Sequence, residues 1–161
     1  KTFIYAFLYG AGAAKIGNVV GGDAREGYKL INKFLNKLPA LGKLRDETFE
    51  TAEQGWIRGL DGRLLKIRST HAALNTLIQG AGAIVCKQWL INIILKTRKD
   101  NLDARLVASV HDEYQFEVLN KHVKRFCNIT REAMKETTEM LEMKCQLDCD
   151  YKVGKTWAET H

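Results

Sequence analysis

ARLVASVHDEYQFEVLN (Ala104–Asn120) consists of two runs in which apolar and polar residues alternate, and the runs meet at His111 and Asp112. Such alternation is typical of strands that are buried on one side, so we predict a β-hairpin over about 104–119. The rest of the chain has mainly helical patterns, and the predicted fold class is α+β. In the second run the two faces separate as follows: Tyr114, Phe116 and Val118 on one, Gln115 and Glu117 on the other.

The hairpin turn carries two adjacent carboxylates, Asp112 and Glu113, next to His111. Carboxylates held at the edge of a rigid sheet can bind hard divalent cations. Neighbouring side chains on a strand point to opposite faces, so we expect one carboxylate to bind directly and the other to support it. A polar turn without a ligand is an equally good interpretation of this triplet alone, because aspartate tolerates unusual backbone angles.

A long helix is predicted from about 70 to 99, and its first half carries His71, Asn75 and Gln79 at helical spacing among small residues. Their side chains could donate hydrogen bonds in a DNA minor groove, where every base pair presents acceptors, and so test pair geometry without reading sequence. The alternative is a helix that faces water and uses alanine and glycine for helix packing.

The segments on either side of these motifs are predicted from local pattern. Residues 13–50 have helical periodicity with interruptions at Gly21-Gly22 and Pro39, and residues 56–69 suggest a hairpin with a turn at Asp61-Gly62. A helix over 121–141 and a short strand over 143–149 are expected after the main hairpin. The residues 56–69 are strongly basic through Arg58, Arg63, Lys66 and Arg68.

The chain opens with KTFIYAFLYGAG (1–12), which places Lys1, Tyr5 and Tyr9 four residues apart on one helical stripe. At the rise of an α-helix, Lys1 and Tyr9 lie roughly 12 Å apart along the axis, about the length of an extended nucleoside triphosphate. The alternative is a helix end with an exposed lysine and tyrosines packed in the core.

The composition fits a single domain or two small lobes: 161 residues, 45% of them hydrophobic. A net charge of +6 makes a polyanion a plausible partner. The four cysteines have no paired spacing and indicate reduced thiols, so a cytoplasmic location is expected. No membrane partner is expected, on the argument that no apolar run reaches the length of a span. The start of the chain suggests a piece of something longer.

Together, the ordered motifs Lys-x3-Tyr-x3-Tyr-Gly, the Gln79 helix and strand–His-Asp-Glu–strand resemble the C-terminal half of a family A (Pol I-like) DNA polymerase. HAALNTLIQGAGA and KTFIYAFLYGAG are most similar to replicative DNA polymerases of short-tailed phages. The resemblance covers the whole chain. It implies a helical fingers lobe over 1–50 and a palm over 51–161, connected by the long helix, and template-directed nucleotidyl transfer with two Mg²⁺ ions.

The resemblance also implies roles at the nucleotide and metal sites. Lys1 would contact the triphosphate and protonate the leaving pyrophosphate, and Tyr5 would lie against the sugar. Tyr9 and Gly10 would lie at the insertion site beside the template base. In the palm, Asp112 would bind both catalytic Mg²⁺ ions, with Glu113 as the weaker ligand.

Further roles implied by the resemblance concern DNA. Asn75 and Gln79 match positions that contact the minor groove of the terminal base pair, and His111 would lie near the primer end. His71 stands where bacterial relatives often carry arginine. His161 matches a C-terminal histidine near the active site.

Several parts of such a polymerase lie upstream of the positions that this chain matches: the other metal-binding aspartate, an arginine, the thumb and any exonuclease domain. The expected partners are therefore primer–template DNA, a dNTP and the missing N-terminal polymerase part, and the isolated chain is expected to be inactive. Two alternatives stay open: a fragment of a single-subunit phage-type RNA polymerase, which typically carries serine at the place of Glu113, and a non-catalytic DNA-binding module derived from a palm.

Overall fold

The computed structural model describes residues 2–160 of the chain, so the predictions for Lys1 and His161 lie outside the described residues. The chain divides into two compact units, one up to Ala81 and one from Gly82 onward. This division falls inside the longest helix. The assignment of 1–50 to fingers and 51–161 to palm stays a prediction.

The first unit begins with four helices: α1 (Thr2–Leu8), α2 (Ala13–Val19), α3 (Ala24–Lys37) and α4 (Pro39–Ala52). Asp23 caps α3, its carboxylate accepting from the backbone N–H groups of Arg25 at 2.9 Å and Glu26 at 3.1 Å. Pro39, predicted as an interruption, is the first residue of α4, where a missing N–H costs no helical hydrogen bond.

The core of the first unit is built on Phe7, Ile16 and Leu74, with the rings of Phe3 and Phe34 packed against it. Helices α2 and α3 approach closely: a Cβ added at Gly27 would lie 1.9 Å from the carbonyl oxygen of Ala13. Only glycine permits this approach.

A small hairpin follows α4 in the same unit. Strands β1 (Trp56–Arg58) and β2 (Leu64–Lys66) pair antiparallel, with Arg58 opposite Leu64. The chain turns through Asp61 and Gly62, the glycine having φ +82°, as the Asp-Gly signal predicts. Next come a 3₁₀ turn, Thr70–Ala72, and helix α5, Ala73–Lys99.

In the second unit, the rest of α5 is followed by β3 (Ala104–Val110), β4 (Glu113–Val118), a 3₁₀ turn (Asn120–His122), α6 (Val123–Met140) and α7 (Trp157–Thr160). The predicted hairpin over 104–119 is confirmed, and so is the α+β class: mostly helices with small antiparallel sheets. Within residues 2–160, β3 and β4 form a sheet of two strands.

Helices α5 and α6 enclose the core of the second unit. Trp89, Ile93, Phe126 and Ile129 are buried there. Polar atoms of α5 bond to α6: the indole N–H of Trp89 donates to the Thr130 carbonyl at 2.9 Å. The side-chain amide of Asn92 on α5 is buried and donates a hydrogen bond to the Thr137 hydroxyl of α6 at 3.0 Å.

The strand predicted over 143–149 is wrong. Helix α6 ends at Met140, Glu142 takes φ +50°, and the described residues 143–156 pair with no strand. The backbone N–H of Leu147 donates to the Thr138 hydroxyl at 3.2 Å and not to the backbone of a neighbouring strand.

The argument that no apolar run reaches membrane-span length is also wrong. One helical stretch, Thr70–Lys99, is long and apolar enough by length and composition. The same test is passed by core helices of proteins that never enter a membrane, so the stretch is weak support for a span. Its residues Trp89 and Ile93 belong to the core described above.

Candidate active site

The β3–β4 turn consists of two residues, His111 and Asp112, because Val110 pairs with Glu113 as the last rung of the ladder. His111 takes φ +53°, a left-handed conformation that histidine adopts more readily than most residues. The sharp turn leaves Asp112 exposed at the tip of the hairpin. The turn thereby presents the Asp112 carboxylate to solvent at the end of the β3–β4 ladder.

Asp112 shares its surroundings with Cys86 of α5 and with Tyr114. Burial raises the pKa of the Cys86 thiol, and the charge of Asp112 raises it further. Burial likewise raises the pKa of Tyr114, with a smaller contribution from Cys86. The Tyr114 ring also packs on Trp89, with centroids 5.2 Å apart. Both neighbours therefore stay neutral at pH 7, and the negative charge here belongs to Asp112.

Glu113 has different neighbours. Its Oε1 accepts a hydrogen bond from the side-chain amide of Gln115, whose Oε1 in turn accepts from the Thr160 hydroxyl at 3.3 Å. The carboxylates of Asp112, in the turn, and Glu113, the first residue of β4, thus contact different groups. Which of them binds a metal directly stays a prediction.

A cavity of about 540 Å³ lies along β4, and both carboxylates belong to its lining. Residues of β4 line it on one side, and residues 150–154, which have no regular secondary structure, line it on another. Within residues 2–160 no group of three or more His, Cys, Asp or Glu side chains could hold a metal ion. Mg²⁺ prefers six oxygen ligands, so Asp112 and Glu113 fit its chemistry but supply only part of its coordination.

In the first unit, Tyr5 on helix α1 and Tyr9, the residue directly after it, face solvent, with 59% and 62% of their surfaces exposed. The apolar contacts of α1 come from Phe3 and Phe7 instead. The alternative in which the tyrosines pack in the core is therefore wrong for the described fold. Lys1, the third residue of the predicted stripe, lies outside the described residues.

Gly10 ends this segment in a conformation that other residues disfavour. Its φ is +78°, and a Cβ at this position would lie 2.3 Å from the carbonyl oxygen of His71. The backbone following α1 therefore contacts the 3₁₀ turn before α5. Glycine is needed here both for its backbone angles and for the close approach.

Only two of the three residues of the predicted stripe His71, Asn75 and Gln79 lie on an α-helix. Asn75 and Gln79 lie on α5, whereas His71 lies in the 3₁₀ turn that precedes it. His71 and Gln79 are exposed and Asn75 is half-buried. The ring of His71 meets that of Phe49 edge-on, with centroids 6.4 Å apart, so aromatic packing orients it.

Sequence reasoning did not identify three neighbours of the carboxylates, Cys86, Gln115 and Thr160, as site residues. Gln115 could have been found, because it stands two residues after Glu113 on the same strand face. Cys86 and Thr160 are 26 and 47 residues distant from the carboxylates they neighbour, by their numbers in the chain. Local periodicity carries no signal for such contacts.

Comparison with known proteins supplies the family. The family model described as DNA polymerase family A matches residues 1–159. The DNA-directed DNA polymerases of Enterobacteria phage T3 and Escherichia phage Phieco32 are 39% and 40% identical to the chain, all of which is covered. The match takes in 26% and 27% of those proteins, so the chain spans about a quarter of their length.

A solved structure matches the fold. It is the POL domain of Pol1 from M. smegmatis in complex with DNA primer-template and dNTP, with a TM-score of 0.77 and 22% identity. The match covers 84% of this chain and 26% of that one.

Proposed function

The chain belongs to DNA polymerase family A, and from that premise we propose that it forms the C-terminal part of a DNA-directed DNA polymerase that uses a two-metal mechanism. The observation that carries the proposal is the exposed Asp112 at a two-residue hairpin turn, within a family match that spans 1–159. Membership of this family decides against the RNA polymerase alternative.

In this proposal Asp112 holds the catalytic Mg²⁺ ions and Glu113 supports them. Bound Mg²⁺ would activate the primer hydroxyl and offset charge on the transferring phosphoryl group. The protein's part is positional: the hairpin fixes the Asp112 carboxylate, and the neutral Cys86 and Tyr114 add no competing charge beside it.

The remaining metal ligand is proposed to come from the rest of the polymerase. Within the described residues the outer edge of β4 has no strand partner, and the cavity runs along this strand up to the two carboxylates. A strand edge with open backbone groups can accept a further strand. An upstream segment that carries the second aspartate can enter there, and without it the isolated chain would not extend primers.

The nucleotide and DNA contacts are proposed on the same basis. Tyr5 on α1 and Tyr9 directly after it are exposed, consistent with contacts to an incoming dNTP, whose triphosphate Lys1 would bind. Asn75 and Gln79 would donate to the minor groove of the primer–template duplex. Supporting contacts to DNA are assigned to four residues by position: Gly10, His71, His111 and His161.

All four cysteines are free, and we place the polymerase in the cytoplasm, the host's if a phage encodes it.

The test is complementation. The upstream part of the phage T3 relative, produced as a separate chain, is combined with this chain, and dNTP incorporation on a primer–template is measured with Mg²⁺. Incorporation should require both chains; we call this combination the assembled polymerase. The T3 protein split at the matching position is the positive control. If that control extends primers and the assembled polymerase does not, a non-catalytic DNA-binding module is favoured instead.

The chain is expected to bind duplex DNA weakly, without sequence preference and with steep salt dependence. Arg63 is paired with Asp61 at 2.6 Å, and this hydrogen bond lowers the pKa of Asp61, so the two charges largely cancel. Arg58, Lys66 and Arg68 should therefore dominate. Replacing Lys66 and Arg68 with alanine should reduce the log–log salt slope by about 2, measured by fluorescence anisotropy. The control, Asp61→Asn with Arg63→Gln, conserves net charge and should leave the slope unchanged; an affinity insensitive to salt would contradict the proposal.

Tyr5→Phe should leave dNTP incorporation by the assembled polymerase nearly intact but reduce the use of dideoxynucleotides roughly tenfold, the worth of about one hydrogen bond. The substitution removes only an exposed hydroxyl that would lie near the 3′ carbon of the sugar. The ratio of kcat/KM for ddNTP and dNTP is the measurement. Tyr9→Phe, four residues further along the chain and equally exposed, is the matched control, and an equal change in both variants would argue against the sugar contact of Tyr5.

A further inference from the structure

Glu113 is linked to the last described helix through two hydrogen bonds. The side-chain N–H of Gln115 donates to Glu113 Oε1, and the hydroxyl of Thr160, in α7, donates to Gln115 Oε1 at 3.3 Å. Glu113 and Gln115 stand two apart on β4 and therefore share one face of the sheet. The second of these bonds joins residues that are 45 positions apart in sequence.

The direction of the link follows from the groups involved. A glutamine amide has one oxygen that accepts and one nitrogen that donates. The Thr160 hydroxyl can donate to the amide oxygen, and this places the amide nitrogen opposite the carboxylate. The same hydroxyl lies 3.1 Å from the Trp157 carbonyl, so its single proton is shared between two acceptors. Thr160 thus selects the orientation of Gln115 in which Gln115 donates to Glu113.

Helix α7 is itself held in place locally. The N–H of Lys155 donates to a Glu159 carboxylate oxygen at 2.7 Å. A Cβ added at Gly154 would lie 2.6 Å from the Cβ of Glu159, so the segment before α7 packs closely against the helix. The segment that carries the Thr160 hydroxyl is therefore ordered by its own contacts.

We propose that Gln115 and Thr160 are positioning residues that hold the Glu113 carboxylate for metal binding, so that α7 takes part in ordering the catalytic turn. The inference rests on the proposed function and deepens it. An amide donor restricts the rotamers of the glutamate and stabilises its charged form without adding a charge of its own. Partners of metal ligands commonly act in this way.

The test uses the assembled polymerase with the variants Gln115→Leu, Thr160→Val and Glu113→Gln, alone and in pairs. Thr160→Val removes a hydroxyl at nearly constant volume, and Thr160→Ser restores it. Thr51→Val is the matched control, because the Thr51 hydroxyl bonds only to the Glu47 carbonyl of its own helix among the contacts described, at 2.8 Å. Two quantities are measured: the half-saturating Mg²⁺ concentration for primer extension, and Mn²⁺ affinity from the electron paramagnetic resonance signal of free Mn²⁺, without turnover.

We expect Gln115→Leu to weaken metal binding roughly tenfold and Thr160→Val less, about threefold, with KM for the primer–template unchanged. Thr160→Ser should recover the parent value. In the Glu113→Gln background neither Gln115→Leu nor Thr160→Val should have a further effect, because both act through Glu113.

Two results would overturn the positioning role. In the first, Gln115→Leu or Thr160→Val weakens metal binding further in the Glu113→Gln background. In the second, Thr160→Val equals its parent in both measurements. Failure of the proposed function has a different signature: the parent assembly would not incorporate dNTPs although the split T3 control does. Because Mn²⁺ affinity is measured without turnover, it decides the positioning role in either case.

Discussion

Asp112→Asn is expected to abolish template-directed incorporation by the assembled polymerase, with a loss of at least about 10³-fold in the single-turnover rate. An amide has nearly the same size as the carboxylate but no charge, so it cannot offset two divalent cations and the negative charge that develops on the phosphoryl group. Asp112 is exposed at the turn, and the substitution leaves the ladder pair Val110–Glu113 in place. The assay is primer extension under single-turnover conditions.

Glu113→Gln, at the first residue of β4, is the comparison and should reduce the rate less, because Glu113 is proposed as the supporting ligand. The thermal unfolding midpoints of both variants should equal that of the parent, which separates lost chemistry from lost fold. If Asp112→Asn extended primers as well as the parent did, the assignment of this turn as the catalytic one would be wrong.

Gly10→Ala is expected to destabilise the first unit by about 2–4 kcal/mol. The left-handed backbone angle alone costs an alanine roughly 1–2 kcal/mol. The rest comes from the new methyl group, which would lie 2.3 Å from the His71 carbonyl oxygen, so the backbone of one segment must move. Urea unfolding of the chain, followed by circular dichroism, measures the change.

Gly82→Ala is the control for this experiment. Gly82 lies inside α5, and a Cβ there would meet no atom within 4 Å. Alanine is the better helix former by about 1 kcal/mol, so this variant should be as stable as the parent or more stable. Equal unfolding midpoints for Gly10→Ala and the parent would show that the contact between Gly10 and His71 is not needed.

The main hairpin was predictable because it depends on local order. Alternation over 104–119 fixes which residues share a face, and the turn follows where the pattern breaks at His111 and Asp112. The helices over 24–37 and 123–140 were likewise visible as apolar periodicity. In these segments burial and local pattern favour the same structure.

The failures arose where a tertiary contact overrides the local pattern. Residues 143–149 look like a strand, but in the described fold Leu147 bonds to the Thr138 hydroxyl instead of to a neighbouring strand. His71 has helical spacing with Asn75 yet lies in a 3₁₀ turn. The backbone of this turn packs closely against Gly10. The bond between Thr160 and Gln115 depends on where α7 packs, which no short window of sequence contains.

The open edge of β4 also affects how the chain behaves when it is made alone. Backbone N–H and C=O groups along the outer edge of a sheet are a template for any other strand, including the same strand of a second molecule. Exposed apolar side chains on the neighbouring β3, Leu106 and Val107, add to this tendency. The isolated chain should therefore be prone to edge-to-edge aggregation at high concentration. Production together with the upstream polymerase part should keep it soluble, because the segment that completes the active site would also cover the edge.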